Sequence, residues 1–197
     1  MKVLFLDHDG VICLHKQWGS RYTKQGKYGA VKSLWGISTE IPISEMPVYD
    51  RFDDFDQDAI DILNRILMET DCEVIVSSDW RNWADVEEMG NYYESQGIVK
   101  KPIGFTPLQL PKGLKFYDRN SEQEETRSYE ILQWLSEHPE VTHWVAIDDL
   151  DMGKVQIDYD ESEYERDWGL YNFVRTNTYG SGIKQDGVYE KIMEYLK

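Results

Sequence analysis

Short apolar runs alternate along this chain with longer segments whose apolar positions recur at helical spacing. The runs Val3–Leu6, Val74–Ser77 and Trp144–Ile147 are rich in β-branched and aromatic residues, so they read as short strands buried on both faces. Further strands are expected near Ile103–Thr106 and Gly169–Thr176. Between them, Asp58 to Thr70 sets Ile60, Leu63, Ile66 and Leu67 three and four positions apart above a polar face, an amphipathic helix. Glu124 to His138 repeats the pattern with Tyr129, Ile131, Leu132, Trp134 and Leu135, and Val188 to Tyr195 carries Ile192 toward a last helix. The alternation predicts an α/β fold in which helices flank a central parallel sheet.

Polar chemistry is concentrated where the apolar runs stop. Asp7-His8-Asp9-Gly10 ends the first run, and strand periodicity sends Asp7 and Asp9 to one side and His8 to the other. Like charges so close need a proton or a cation, and a hard divalent ion such as Mg²⁺ suits oxygen ligands. A turn that merely caps the next segment is the alternative. Ser77-Ser78-Asp79-Trp80-Arg81 ends the second run in hydroxyls and then reads as a helix start, for which simple N-capping is an ordinary use. Asp148-Asp149 ends the third run. Open α/β sheets gather their ligands at these carboxyl ends.

In this order the segments resemble the motifs of the haloacid dehalogenase-like (HAD) superfamily, whose fold is Rossmann-like. The resemblance implies that Asp7 is a nucleophile that becomes phosphorylated and Asp9 a general acid/base. It implies that Ser77 binds the transferring phosphoryl group, and that Asp7, Asp9 through its carbonyl, and Asp148 hold Mg²⁺, with Asp149 acting through water or orienting the site. The superfamily also places a cation before the last motif. Arg127 is the candidate, with Lys112 and Lys115 as competitors and an ordinary surface arginine as the other reading. Gly10, Ser78 and Arg81, in or beside these motifs, are assigned to substrate binding.

Over about residues 1–183 the chain looks like the HAD domains associated with RNA-repair proteins. The likeness is carried by Ser77–Arg81, Gly97-Ile98, Gly104-Phe105-Thr106-Pro107, Arg127 with Glu130-Ile131 and Trp134-Leu135, Trp144–Asp149, and the Thr178-Gly180-Gly182-Ile183 loop. Asp79 departs from the small neutral residue expected there and sets a negative charge against phosphate approach. No kinase P-loop GxxxxGK[ST] occurs, so an end-processing enzyme of this type would be a phosphatase alone.

The whole chain, 1–197, reads as one such domain, with residues 13–55 forming an elaborated flap and no large cap. A second insertion is expected between Gly104 and Arg127, where prolines and the charged run Asp118–Glu125 indicate loop structure. Asp54, Asp56 and Asp58 do not make an EF-hand, because Ala59 and Arg65 stand where glycine and glutamate are needed. The acidic stretch Asp158–Glu165 reads as a solvated loop.

Charge and composition narrow the substrate. With 21 Lys and Arg against 37 Asp and Glu, the net charge of −16 repels polyanions at long range, so tight duplex nucleic-acid binding is not expected. Within the flap, however, Lys16, Arg21, Lys24, Lys27 and Lys32 interleave with Trp18, Tyr22, Tyr28 and Trp35. That mixture suits base stacking with phosphate contact, and equally an ordinary amphipathic flap; Trp18 and Lys24 are taken as its substrate-binding members. Two cysteines, no leader-like N-terminus and no apolar stretch of bilayer length predict a reduced, cytoplasmic, non-membrane setting. The expectation is a Mg²⁺-dependent phosphomonoester hydrolase acting on a nucleotide or nucleic-acid phosphate end. A small-metabolite phosphatase and a non-catalytic HAD-like binding protein are the alternatives.

Overall fold

Along the chain, β1 (Lys2–Leu6) is followed by α1 (Ser20–Gln25), the strands β2 (Val31–Ser33) and β3 (Gly36–Ser38), α2 (Val48–Arg51) and α3 (Gln57–Thr70). Next come β4 (Glu73–Val76), α4 (Val86–Gln96), β5 (Gly104–Phe105), α5 (Arg119–Glu137) and β6 (His143–Asp148). The chain closes with β7 (Val155–Ile157), β8 (Glu163–Glu165), β9 (Phe173–Arg175) and α6 (Val188–Leu196). This computed structural model describes residues 1–33, 36–108, 119–157, 163–177 and 180–197.

Five strands form one parallel sheet in the order β5-β4-β1-β6-β9. The chain leaves β1 for β4 on one side and later crosses to β6 on the other, so the sheet reverses its direction of winding at β1, where α/β sheets place their ligands. Alternation along the strands divides the core. Leu4, Leu6, Val74, Val76 and Ile147 pack against α3, α4 and α6. Val3, Phe5, Ile75 and Ala146 face Ile131 and Trp134 of α5 instead, and Phe5 meets the Trp134 ring edge-on at 5.4 Å. The α/β architecture expected from the pattern is the one observed.

Several local expectations differ. The charged run before Arg127 is not loop throughout, because α5 already begins at Arg119; Glu, Gln and Arg are good helix formers even without apolar periodicity. Within the acidic stretch, Glu163–Glu165 pairs antiparallel with Val155–Ile157 as an exposed strand rather than a loop, while Asp158, Asp160 and Glu161 lie outside the described residues. Ser78 leads into a 3₁₀ turn at Asp79–Asn82, and the full helix starts at Val86, where Asp85 and Glu88 form a reciprocal capping box. The strand near Ile103–Thr106 is reduced to β5, and that near Gly169–Thr176 to β9. Asp56, set aside as a calcium ligand, caps α3 by accepting from Ala59 N at 3.1 Å. No described helix is long and apolar enough to cross a membrane.

Leu63 is fully buried on α3 within the larger core cluster, so Leu63→Ala is expected to cost about 2–5 kcal/mol and to lower Tm by at least about 4 °C. Met68 on the same helix is 68% exposed, and Met68→Ala is expected to stay within about 0.5 kcal/mol. Thermal unfolding of both variants checks the orientation of α3 on the sheet.

Candidate active site

Sheet register sets three candidate site residues side by side. Leu6 pairs with Val76 on one side and with Ile147 on the other, so the residues that follow, Asp7, Ser77 and Asp148, share one level at the carboxyl edge. Hydrogen bonds carry the ladder into that row, from Asp7 N to Ile147 O at 3.1 Å and from Ser77 N to Leu6 O at 2.9 Å. Phe5, Ile75 and Ala146, two residues earlier, face α5. Alternation therefore aims Asp7, Ser77 and Asp148 toward the same helix.

Arg127 enters the row from α5. Its Nη1 donates to Asp7 Oδ1 at 2.8 Å, to Ser77 O at 2.7 Å and to Asp148 Oδ2 at 3.1 Å, while Nη2 reaches Asp79 Oδ1 at 2.9 Å. Burial works against its charge, but the carboxylates of Asp148, Asp7 and Asp79 raise its pKa, so the guanidinium stays charged. Asp79, the departure from the small neutral residue expected there, shares this cation. Lys112 and Lys115, the competing cations, lie outside the described residues.

One guanidinium does not neutralise the acids around it. Burial, then the Asp148 carboxylate, push Asp7 well above the ordinary carboxylate range despite Arg127. Burial likewise lifts Asp148 to about 6 against the pull of Arg127 and of the Leu150 N–H, which donates to Asp148 Oδ1 at 2.9 Å. Carboxylate oxygens of Asp7, Asp148 and Asp149 lie within 4.8 Å of one another. Such a set of hard oxygen donors with surplus negative charge fits a divalent cation such as Mg²⁺. The Asp149 side chain rests against Gly10, where a Cβ would sit 2.5 Å from its Oδ2 and where φ is +72°, so the position requires glycine. Gly10 thus acts through its lack of a side chain.

Asp9 stands apart from this acid group. Its Oδ2 accepts from Trp80 Nε1 at 2.9 Å. Burial raises its pKa, opposed by that indole hydrogen bond and by the charge of Arg21. His8 points to the opposite face, as alternation required, and meets Tyr93 Oη at 2.7 Å; burial holds its pKa near 3, so it stays neutral.

Asp7, Asp9, Asp79, Arg127 and Asp149 border a cavity of about 160 Å³. Two wider clefts open beside it. A cleft of about 450 Å³ runs along α5 past Arg127, Thr126, Arg81 and Glu130; another, of about 390 Å³, lies on the flap side and includes Asp9, Asp149, Trp18, Arg21 and Asp53. The hydroxyls of Ser77 and Ser78 are buried and, among the described residues, have no hydrogen-bond partner. Unmade hydrogen bonds of this kind cost about 1–3 kcal/mol each.

The other assigned residues sit as follows. Arg81 is buried in an ion pair with Glu130 and a hydrogen bond to Thr106, anchoring the Ser77–Asn82 turn to α5 as well as bordering the wider cleft. Trp18 reaches the flap-side cleft. Lys24 does not: it donates to Phe52 O at 3.0 Å and pairs with Asp54 at 2.5 Å. Lys27 is paired with Asp50 at 2.6 Å and Arg21 with Asp53 at 3.3 Å, so acids from α2 and the turn after it largely neutralise the basic run. Trp35 lies outside the described residues. Trp80 was read only as part of the Ser77–Arg81 segment and Asp53 not at all, since an indole donor and an acid about 45 residues beyond Asp9 form no spacing motif; Arg21 was visible there as one cation among several.

A family model described as the HAD domain in Swiss Army Knife RNA repair proteins matches residues 3–186. No curated protein and no solved structure gives a significant match. The matched span includes all three strand ends that converge on Arg127, and over that span the chain belongs to the family of HAD domains found in Swiss Army Knife RNA repair proteins.

Proposed function

We propose that this chain is a Mg²⁺-dependent phosphomonoester hydrolase that works through an aspartyl-phosphate on Asp7. The observation that carries the reading is the row of Asp7, Ser77 and Asp148 joined by Arg127, beside a second carboxyl, Asp9, held by a separate indole hydrogen bond. Two acids in different environments suit different roles: Asp7 as nucleophile, Asp9 as proton donor. Asp7, Asp148 and Asp149 would hold the Mg²⁺, which when bound offsets the charge on the nucleophile and on the phosphoryl oxygens.

In this reading Asp7 Oδ attacks phosphorus in line with the ester oxygen. Arg127, with the free hydroxyls of Ser77 and Ser78, takes the charge that spreads over the phosphoryl oxygens. Asp9 gives its proton to the departing oxygen as the P–O bond breaks. The resulting Asp9 carboxylate then removes a proton from water, which attacks the aspartyl-phosphate; phosphate leaves and Asp7 and Asp9 return to their starting states. A nucleotide or nucleic-acid phosphate end is the proposed substrate, supported by the family match and by Trp18 in the flap-side cleft.

Asp7→Asn is expected to lower phosphatase turnover by roughly 10³-fold or more, and retained turnover would exclude the covalent route. Asp9→Asn should lose about 10²–10⁴-fold on alkyl phosphates but much less on p-nitrophenyl phosphate, whose leaving group departs without a proton. Rates on the two esters, with and without EDTA, decide both points.

Metal binding should also be linked to pH. The folded Asp148 carboxyl holds its proton more tightly than an unfolded one, with a pKa of about 6 against the ordinary 3.8. Metal-free protein therefore loses stability from this group as pH rises through that window. Mg²⁺ needs the ionised form, so the rise in Tm on adding Mg²⁺ should be larger at pH 7 than at pH 5. In Asp148→Asn that pH dependence should shrink, and an unchanged difference would remove Asp148 from the metal site.

A further inference from the structure

Two clefts flank the central cavity, and the general acid tells them apart. A group that protonates the leaving oxygen must lie on the leaving-group side. Asp9 borders the central cavity and the flap-side cleft, whereas the wider cleft along α5 contains neither Asp7 nor Asp9. We propose that the leaving group occupies the flap-side cleft, with its base against Trp18, and that Arg21 binds a second phosphate carried on that leaving group. The inference rests on the hydrolase reading above and deepens it.

Both side chains are held in place. Trp18 donates its indole N–H to Cys13 O at 3.1 Å, and Cys13 is bridged to Asp9, so the ring is tied to the backbone that carries the acid. Arg21 stands on a turn clamped by Asp53, whose Oδ1 accepts from Gly19 N at 3.0 Å, Ser20 Oγ at 3.2 Å and Arg21 N at 2.7 Å. The Arg21 side chain is 40% exposed and, among the described residues, makes one 3.3 Å ion pair, to Asp53 Oδ2, which leaves donors of its planar fork for an anion. A cleft of about 390 Å³ accepts a single nucleotide-sized group.

Charge limits what can enter. Asp9, Asp53 and Asp149 outnumber Arg21, the one cation bordering this cleft among the described residues, so a polyanionic leaving group is repelled and one further phosphate beside Arg21 is accommodated. The ligand class is a nucleoside bearing a phosphate in addition to the one hydrolysed. That phosphate can belong to a free nucleoside bisphosphate or to the diester of a chain end.

The test compares KM for adenosine 3′,5′-bisphosphate with that for the better of the 3′- and 5′-monophosphates. Wild type should prefer the bisphosphate by about tenfold, the scale of one charge-assisted contact. Arg21→Gln should reduce the preference to near unity and Arg21→Lys should keep part of it. A 3′-phosphorylated dinucleotide tells the sources apart: Arg21-dependent KM as low as for the bisphosphate indicates a chain end, and a monophosphate-like KM a free nucleotide. No preference in wild type, a preference that survives Arg21→Gln, or one abolished by Lys24→Gln would overturn the inference while leaving the hydrolase reading intact. Failure of wild type to hydrolyse even p-nitrophenyl phosphate would overturn both.

Discussion

Everything at the carboxyl edge of the sheet answers to one electrostatic demand: two buried carboxylates on adjacent parallel strands need a cation between them. Arg127 supplies it, and its position follows from the way α5 docks. Arg127, Ile131 and Trp134 fall at i, i+4 and i+7 on one stripe, so the face that buries Ile131 and Trp134 on the sheet also delivers the guanidinium to Asp7 and Asp148. Glu130, on the same helix, holds Arg81 and with it the turn that follows Ser77. Packing and charge are thus coupled. Removing Arg127 leaves the buried acids without their cation, a loss of about 3–5 kcal/mol, which makes the row a structural element as well as a chemical one.

The opposite face of β1 continues in a different material. His8, Phe52, Phe55, Trp80, Tyr92 and Tyr93 form a ring cluster, with Phe52 and Trp80 stacked at 4.7 Å and Phe55 and Trp80 at 5.4 Å. Sandwiched between two rings, Trp80 has little freedom, and its N–H holds the Asp9 carboxyl steady. Neutral His8 adds no charge to this apolar shell. The two regimes meet at one backbone turn, where the N–H groups of Val11, Ile12 and Cys13 all donate to His8 O. Two acids two residues apart are both raised chiefly by burial, one among the charges of the ionic row and the other against the Trp80 indole.

The flap shows how local sequence can mislead. Its cations stand close together in the chain, but Asp50, Asp53 and Asp54 return from further along to pair with Lys27, Arg21 and Lys24. What reads as a basic groove is mostly a set of neutralised pairs fastening α1 to the segment before α3. Of the three paired cations, Arg21 borders the cleft beside Asp9.

Strands, helices and the strand-end acids were legible in the sequence because each depends on local periodicity: apolar runs that stop at Asp7, Ser77 and Asp148, and helical stripes in α3, α5 and α6. Their common edge was legible too, since parallel strands joined by helices leave their carboxyl ends on one side. The start of α5 was not, because a charged helix without an apolar stripe resembles a loop in sequence. Nor was the pairing that gives the site its character. Arg127 was the candidate cation from the resemblance, but that one guanidinium joins Asp7 to Asp148, that Asp79 shares it, that Trp80 holds Asp9 and that Lys24 turns away to Asp54 are contacts between residues from 21 to 120 positions apart. Sequence spacing carries no distance for such pairs; packing of α5 and the flap on the sheet sets it, so tertiary structure alone decided them.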